Sequence, residues 1–122
     1  MQLYEQQYLQ YAHVRLADEG LGAEAVERTF GYLSGGWDAV LRCPQPMAAC
    51  WVLLRQVVSE RSRRASRTGD RLHRALPALA ADAALLRYRL GLDASIAAHL
   101  MGVDESALRA QLRTATSMLA RV

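Results

Sequence analysis

The chain of 122 residues contains no lysine, so all fifteen of its positive charges are arginines. Because an arginine guanidinium does not readily lose its proton, chemistry that needs a lysine amine, such as Schiff-base formation, is excluded. Isoleucine and phenylalanine occur once each, as Ile96 and Phe30, and no run of β-branched residues alternates with polar ones. Alanine and leucine are the commonest residues instead, and both favour helix. The sequence predicts an all-α protein.

Residues typical of metal sites and active sites are also scarce. Cys43 and Cys50 are too few for a tetrahedral zinc site made by protein ligands alone, and no histidine stands at a ligand spacing from them. His13, His73 and His99 are scattered singly along the chain. The chain has no glycine-rich phosphate loop, no nucleophile elbow and no paired catalytic carboxylates. We therefore expect a binding protein rather than an enzyme, with no metal and no other cofactor.

Long apolar runs are missing as well. No stretch approaches the roughly 20 apolar residues that a helix needs to cross a bilayer, and the first residues lack the profile of a secretory signal. The composition, 52% hydrophobic and 22% charged, is that of a chain that can bury a core. We expect a cytoplasmic protein with no membrane partner.

The net charge of +3 is unevenly distributed along the chain. Residues 60–74 hold six arginines and two acids, a net charge of +4, whereas residues 1–59 hold four arginines and six acids, a net charge of −2. A polyanion would be attracted most strongly to residues 60–74. The alternative is that this stretch is a solvated linker, and the charge pattern alone does not separate the two.

Turn-forming stretches divide the N-terminal half into three predicted helices. These stretches are residues 20–22, 34–36 and 43–46. Apolar residues recur at helical spacing over about 2–17, over about 23–34, and from Pro46 until the arginines begin after Ser59. We expect Trp37 and Trp51 to anchor helices to one another rather than to stack on bases.

Three more helices are predicted after residues 66–77. The first covers residues 78–90, with Leu79 among its inward side chains. A short helix over about 93–101 and a longer helix after Asp104, with Leu119 inward, are joined by a turn at Gly102. A short helix, a glycine turn and a longer helix form a helix-turn-helix pattern, and the small Ala98 allows the two helices to cross closely.

The outward face of the last helix is predicted to carry residue types that reach phosphates or base edges of DNA. These residues are Ser106, Arg109, Gln111 and Arg113. Glu105, at the start of the same helix, would repel phosphates. Helical hairpins with a glycine turn also occur in proteins that do not bind DNA, and that alternative stays open.

Two stretches carry a resemblance to a known family. Residues 22–30, G-A-E-A-V-E-R-T-F, align with a helix written A-E-D-L-V-Q-E-V-F, and Trp37-Asp38 follows where W-D is common. The C-terminal stretches run without gaps along a second pattern: Leu76-Pro77, Arg87-Tyr88, Gly91-Leu92, Ala98, Leu100 to Val103, Leu108, Leu112 and Ala115. In this order and spacing, the chain resembles the extracytoplasmic-function sigma factors of bacterial RNA polymerase over nearly its whole length.

The resemblance implies two small helical bundles of three helices each. A region 2-like domain would cover residues 1–66, a short linker residues 67–75, and a region 4-like helix-turn-helix domain residues 76–122. The region 2-like helix would dock on the β′ clamp of core RNA polymerase, and the region 4-like domain would read the −35 element of promoter DNA.

The resemblance also assigns residues to each contact. The polymerase-binding residues would be Glu24, Val26, Glu27 and Phe30, although the helical spacing equally allows Val26 and Phe30 to be core residues. The DNA-binding residues would be Arg61, Arg63 and Arg64 near the upstream promoter, and Ser106, Arg109, Gln111 and Arg113 at the −35 groove.

Several positions depart from the family pattern. Gln111 and Thr114 stand where arginines are customary, Ile96 replaces a glutamate, and the third helix lacks the family's asparagine and aspartate. Only eleven residues separate Arg64 from Leu76, and they span at most about 36–40 Å. This short link favours packing of the two halves against each other.

Three functions are therefore predicted as alternatives. The leading one is a sigma-factor-like transcription regulator that binds RNA polymerase, promoter DNA or both. The second is an interaction module of the same fold that binds a sigma factor, an anti-sigma factor or itself without reading a promoter. The third is a stand-alone helix-turn-helix repressor that dimerises on a two-fold symmetric site.

Overall fold

The computed structural model describes residues 5–64 and 71–120, with the side chains of residues 64 and 71 left out. This part of the chain is all-helical, as predicted, and contains no strand. Its elements are α1 (Glu5–Leu16), α2 (Glu19–Gly35), α3 (Trp37–Arg42), α4 (Pro46–Arg64), α5 (Arg71–Ala75), α6 (Ala78–Ala84), a π-helical turn (Leu85–Arg89), α7 (Ala94–Met101) and α8 (Glu105–Ala120). None of these helices is long and apolar enough to cross a membrane.

The predicted break at residues 20–22 is wrong, because α2 already begins at Glu19. The chain reverses at Ala17 (φ 53°), and the side chain of Asp18 accepts a hydrogen bond from the Leu21 amide at 2.8 Å, which caps α2. Gly22 is buried where α1 and α2 cross. A Cβ atom there would lie 2.3 Å from the His13 side chain, so this glycine allows close helix packing rather than a turn.

Two short helices were not predicted from the sequence. In α3 no side chain is buried, and Trp37 at its start is exposed and outside the core, contrary to the expectation that it is an anchor. The other, α5, lies within the predicted linker at residues 67–75. Two predicted inward residues also prove to be exposed, Leu79 at 44% and Leu119 at 41%.

One buried cluster draws on both halves of the chain. From the N-terminal half it includes Tyr8, Trp51 and Leu54, and from the C-terminal half it includes Leu86 and Leu108. The two halves thus pack against each other, as the short link between them favours. The assignment of residues 1–66 and 76–122 to two separate domains stays a prediction.

The helix α6 is buried over all but its first two residues. Residues 80–84 are all inaccessible to solvent, because α6 packs against α8 on one side and contributes on the other side to the buried cluster formed by both halves of the chain. A smaller cluster fixes the contact with α8, where Ala80, Ala81 and Ala84 meet Ala115. The small alanine side chains allow this close approach, and they leave Leu79 on the exposed edge.

Candidate nucleic-acid interface

The predicted succession of a short helix, a glycine turn and a longer helix is present in α7 and α8. At the end of α7, Gly102 adopts a left-handed conformation (φ 72°), and its amide donates to the His99 carbonyl at 3.1 Å. The next amide, of Val103, donates to the Ala98 carbonyl at 3.0 Å. These two bonds form a Schellman motif, which ends α7 sharply and starts the chain toward α8. Ala98 and Leu108 belong to the buried core, as expected for a pair of helices that cross closely.

The turn of this helix-turn-helix packs on the start of α4. A Cβ atom at Gly102 would lie 2.1 Å from the Ala48 amide nitrogen and 2.4 Å from its Cα. Glycine is therefore required at position 102 for two reasons: its left-handed backbone conformation and its close approach to Ala48. The contact fixes the helix-turn-helix to the N-terminal half of the chain.

Three of the four residues predicted on the outward face of α8 do lie together there. Ser106, Arg109 and Arg113 are exposed and follow one another at steps of three and four residues, so they share one face. Glu105 Oε1 lies 3.7 Å from Arg109 Nη2, with both side chains about half exposed. An exposed pair of this kind contributes at most about 1 kcal/mol, so Arg109 can exchange this partner for a phosphate at little cost.

Gln111 does not belong to this face. It is partly buried, and it lies three residues after Leu108 and four before Ala115, which are both fully buried. The helical spacing therefore places Gln111 on the side of α8 that meets the core. The structure corrects its assignment to the DNA-facing surface.

The residues of the N-terminal half that are predicted to contact polymerase or DNA lie in different environments. Val26 is only 2% exposed and belongs to the core, which leaves its side chain no surface for a partner. Phe30 is partly buried and stacks on the Tyr8 ring with centroids 6.0 Å apart, so it too packs against the core. Glu27 and Arg63 are exposed, whereas the side chain of Arg64 lies outside the described residues.

Two of the predicted contact residues pair with each other. Arg61 Nη2 lies 2.6 Å from Glu24 Oε2, across the contact between α2 and α4, and Arg28 approaches the other oxygen of Glu24 at 3.9 Å. The predicted polymerase-binding acid and a predicted DNA-binding arginine thus neutralise each other. This pairing depends on the packing of the two helices and has no counterpart in the sequence pattern.

Sequence reasoning missed a buried polar network centred on Asp82. The carboxylate is fully buried, and each oxygen meets two polar side chains. Oδ1 accepts from the Tyr11 hydroxyl at 2.7 Å and lies 2.5 Å from His73 Nε2. Oδ2 accepts from Trp51 Nε1 at 3.1 Å and from Arg55 Nε at 2.8 Å. The network therefore joins α6 to α1, α4 and α5.

The network extends from Tyr11 to a second arginine. Arg15 Nη1 donates to the Tyr11 hydroxyl oxygen at 2.6 Å, and Arg15 Nη2 donates to Ser59 Oγ at 3.2 Å. Burial, and then the Asp82 carboxylate, raise the pKa of Tyr11 well above its ordinary value. Tyr11 thus stays protonated and donates a hydrogen bond to Asp82.

Two features of the sequence are typical of such a network, although they do not identify its members. Asp82 is a single acid among the alanines of α6, where an unpaired buried charge would be very costly. Trp51 was expected to anchor helices, and this prediction is confirmed: it packs on Tyr8 and Tyr11, with ring centroids 5.8 and 4.6 Å away. Which partners Asp82 finds depends on the tertiary packing.

The described residues contain no group of three or more histidine, cysteine or acidic side chains placed to hold a metal ion. No protein-family model, curated protein or solved structure matches the chain.

Proposed function

We propose that the protein is a transcription regulator of the sigma-factor type, which binds DNA through α8 and associates with RNA polymerase. The observation that carries the proposal is the face formed by Ser106, Arg109 and Arg113, which begins in the first turn of a helix that follows a left-handed glycine turn. In helix-turn-helix proteins, the start of the second helix enters the major groove. Serine and arginine there supply donors to phosphates and to guanine.

Association with RNA polymerase is supported by the sequence resemblance and by one surface residue. Glu27 is exposed on α2, the helix that aligns with the polymerase-docking helix of the family. In the proposed function Glu27 contacts the polymerase clamp, and Val26 and Phe30 support α2 from the core. Arg63 adds positive charge at the exposed end of α4.

DNA binding is tested by the dependence of affinity on salt. The chain is titrated into labelled duplexes at several salt concentrations, and the slope of log K against log salt gives the number of phosphate contacts. Replacing both Arg109 and Arg113 by alanine is expected to reduce the slope by about 2. The exposed Arg42 on α3, replaced by alanine, is the matched control and leaves the slope unchanged. A flat salt response of the unaltered chain contradicts the proposal.

A second candidate function is that of a protein-binding module without promoter recognition. The pairing of Arg61 with Glu24 favours it, because it removes one residue from each of the two predicted contact surfaces. The shared core favours it too, since it holds together two halves that a sigma factor places on separate promoter elements.

Capture of partners separates the two functions. The tagged chain is incubated with purified core RNA polymerase, and then with purified sigma and anti-sigma factors. Retention of the core enzyme, followed by promoter-dependent transcription in vitro, supports the first function. Binding of a sigma or anti-sigma factor without the core enzyme supports the second.

A further inference from the structure

Tyr88 occupies an unusual place beside α8. It lies in the π-helical turn that follows α6 and is 61% exposed, more than any other large hydrophobic side chain of the described residues. Ala84 and Ala81, just before this turn, belong to the cluster that packs on α8, and Tyr88 itself lines a surface depression together with residues of α8. The Arg87 guanidinium lies 5.8 Å from the centre of its ring.

Tyr88 and the second half of α8 enclose a shallow surface depression of about 480 Å³. Its lining residues are Tyr88, Arg109, Leu112, Arg113, Thr116 and Ser117. The polar groups among them are two guanidinium groups and three hydroxyls, and no carboxylate lines the depression. Such a set of donors and positive charges suits an anion.

The charge of this depression is only partly neutralised. Glu105 approaches Arg109 from the start of α8, whereas no carboxylate of the described residues lies within ion-pair distance of Arg113. Thr116 and Ser117 are exposed and make no hydrogen bond to the described part of the chain. Their hydroxyls are available to a ligand.

The depression is continuous with the DNA-facing surface of α8. Ser106, Arg109, Arg113 and Ser117 follow at steps of three or four residues and share one face, with Thr116 beside it. At about 1.5 Å per residue, this face is about 16 Å long, while the major groove of B-DNA is about 12 Å wide. When the start of α8 contacts base edges, the end of the face therefore reaches the sugar-phosphate backbone at the edge of the groove.

We propose that Tyr88, Thr116 and Ser117 form a binding site for a backbone phosphate of duplex DNA, with Arg113 supplying the opposing charge. The inference rests on the proposed function and adds to it a contact that no sequence pattern assigned. The tyrosine hydroxyl donates to a phosphate oxygen, and the two α8 hydroxyls donate to the same phosphodiester. Because a phosphate contact is the same for every sequence, this site positions α8 on the duplex and does not select bases.

The test is the variant Tyr88→Phe, which removes one hydroxyl and keeps the ring. Affinities of the full chain for two duplexes of equal length and unrelated sequence are measured by fluorescence anisotropy. A hydrogen bond to a charged group is lost, so we expect both affinities to fall by the same factor, roughly 10–100-fold. The salt slope stays unchanged because no charge is removed, whereas Arg113→Gln lowers it by about 1.

Two further variants complete the experiment. Tyr32→Phe is the matched control, because Tyr32 is 57% exposed and lies on α2, and it leaves both affinities unchanged. Thr116→Ala combined with Ser117→Ala reproduces the uniform loss of affinity.

The possible results separate this inference from the proposed function. If the unaltered chain binds neither duplex, both are overturned. If the chain binds and Arg109→Ala weakens binding, but Tyr88→Phe behaves like Tyr32→Phe, only the phosphate site is overturned. An effect of Tyr88→Phe on one duplex alone also overturns it, because that result would indicate contact with bases.

Discussion

Replacing Asp82 by asparagine removes a negative charge from the centre of the protein and scarcely changes the volume of the side chain. In the structure, the side chains of Tyr11, His73, Trp51 and Arg55 converge on the two carboxylate oxygens. Asparagine offers one oxygen and one NH2 group. Whichever way the amide is oriented, two of the four side chains then face a donor instead of an acceptor.

We expect Asp82→Asn to lower the free energy of unfolding by about 3–4 kcal/mol. Breaking a buried ion pair costs about 3–5 kcal/mol, and the partly exposed Arg55 side chain recovers a fraction of this from water. With the amide oxygen kept toward Trp51 and Arg55, the NH2 group faces Tyr11 and His73, and the fully buried Tyr11 hydroxyl loses its acceptor. A buried donor without an acceptor costs about 1–3 kcal/mol. Because a domain is stable by about 5–15 kcal/mol, the variant folds but melts about 10–20 °C lower.

Urea and thermal unfolding, followed by far-UV circular dichroism, measure this loss. Asp38→Asn makes the same chemical change at an exposed position on α3, and we expect it to alter stability by less than about 0.5 kcal/mol. Unfolding midpoints of Asp82→Asn that match those of Asp38→Asn, with equal dependence on urea, would refute the role of the network in holding the two halves together.

Two further predictions concern the helix-turn-helix turn and the pH dependence of stability. Gly102→Ala is expected to lower the free energy of unfolding by about 3 kcal/mol, because of the left-handed backbone and the close contact with Ala48. Gly91 has the same backbone conformation but open space around it, so Gly91→Ala is expected to lower the free energy of unfolding by only about 1 kcal/mol. Equal losses in urea unfolding would disprove the close contact. Because the folded pKa of Tyr11 is raised above the unfolded value of about 10, the unfolded chain loses this proton first and stability falls as pH rises above about 10. Unfolding measured across that range should show a smaller fall in Tyr11→Phe, and an identical fall in both proteins would contradict the assignment.

Part of the candidate site could be predicted because it depends on local spacing. Gly102 and the face of Ser106, Arg109 and Arg113 follow from helix periodicity and from the backbone freedom of glycine. The same periodicity, applied from Leu108 to Ala115, would also have placed Gln111 on the buried side. The likeness to a known family, by contrast, indicated contact residues without indicating which of them pack inside.

The sequence by itself determined that the described residues are helical, where the last two helices meet and that α8 exposes Ser106, Arg109 and Arg113, because these properties depend on residues within a few positions of one another. Only the tertiary structure decided that residues 80–84 of α6 are buried, that Arg61 meets Glu24, and that Asp82 contacts side chains from three other helices. Such pairings join residues tens of positions apart, and a buried charge must find its partners wherever the packed helices bring them.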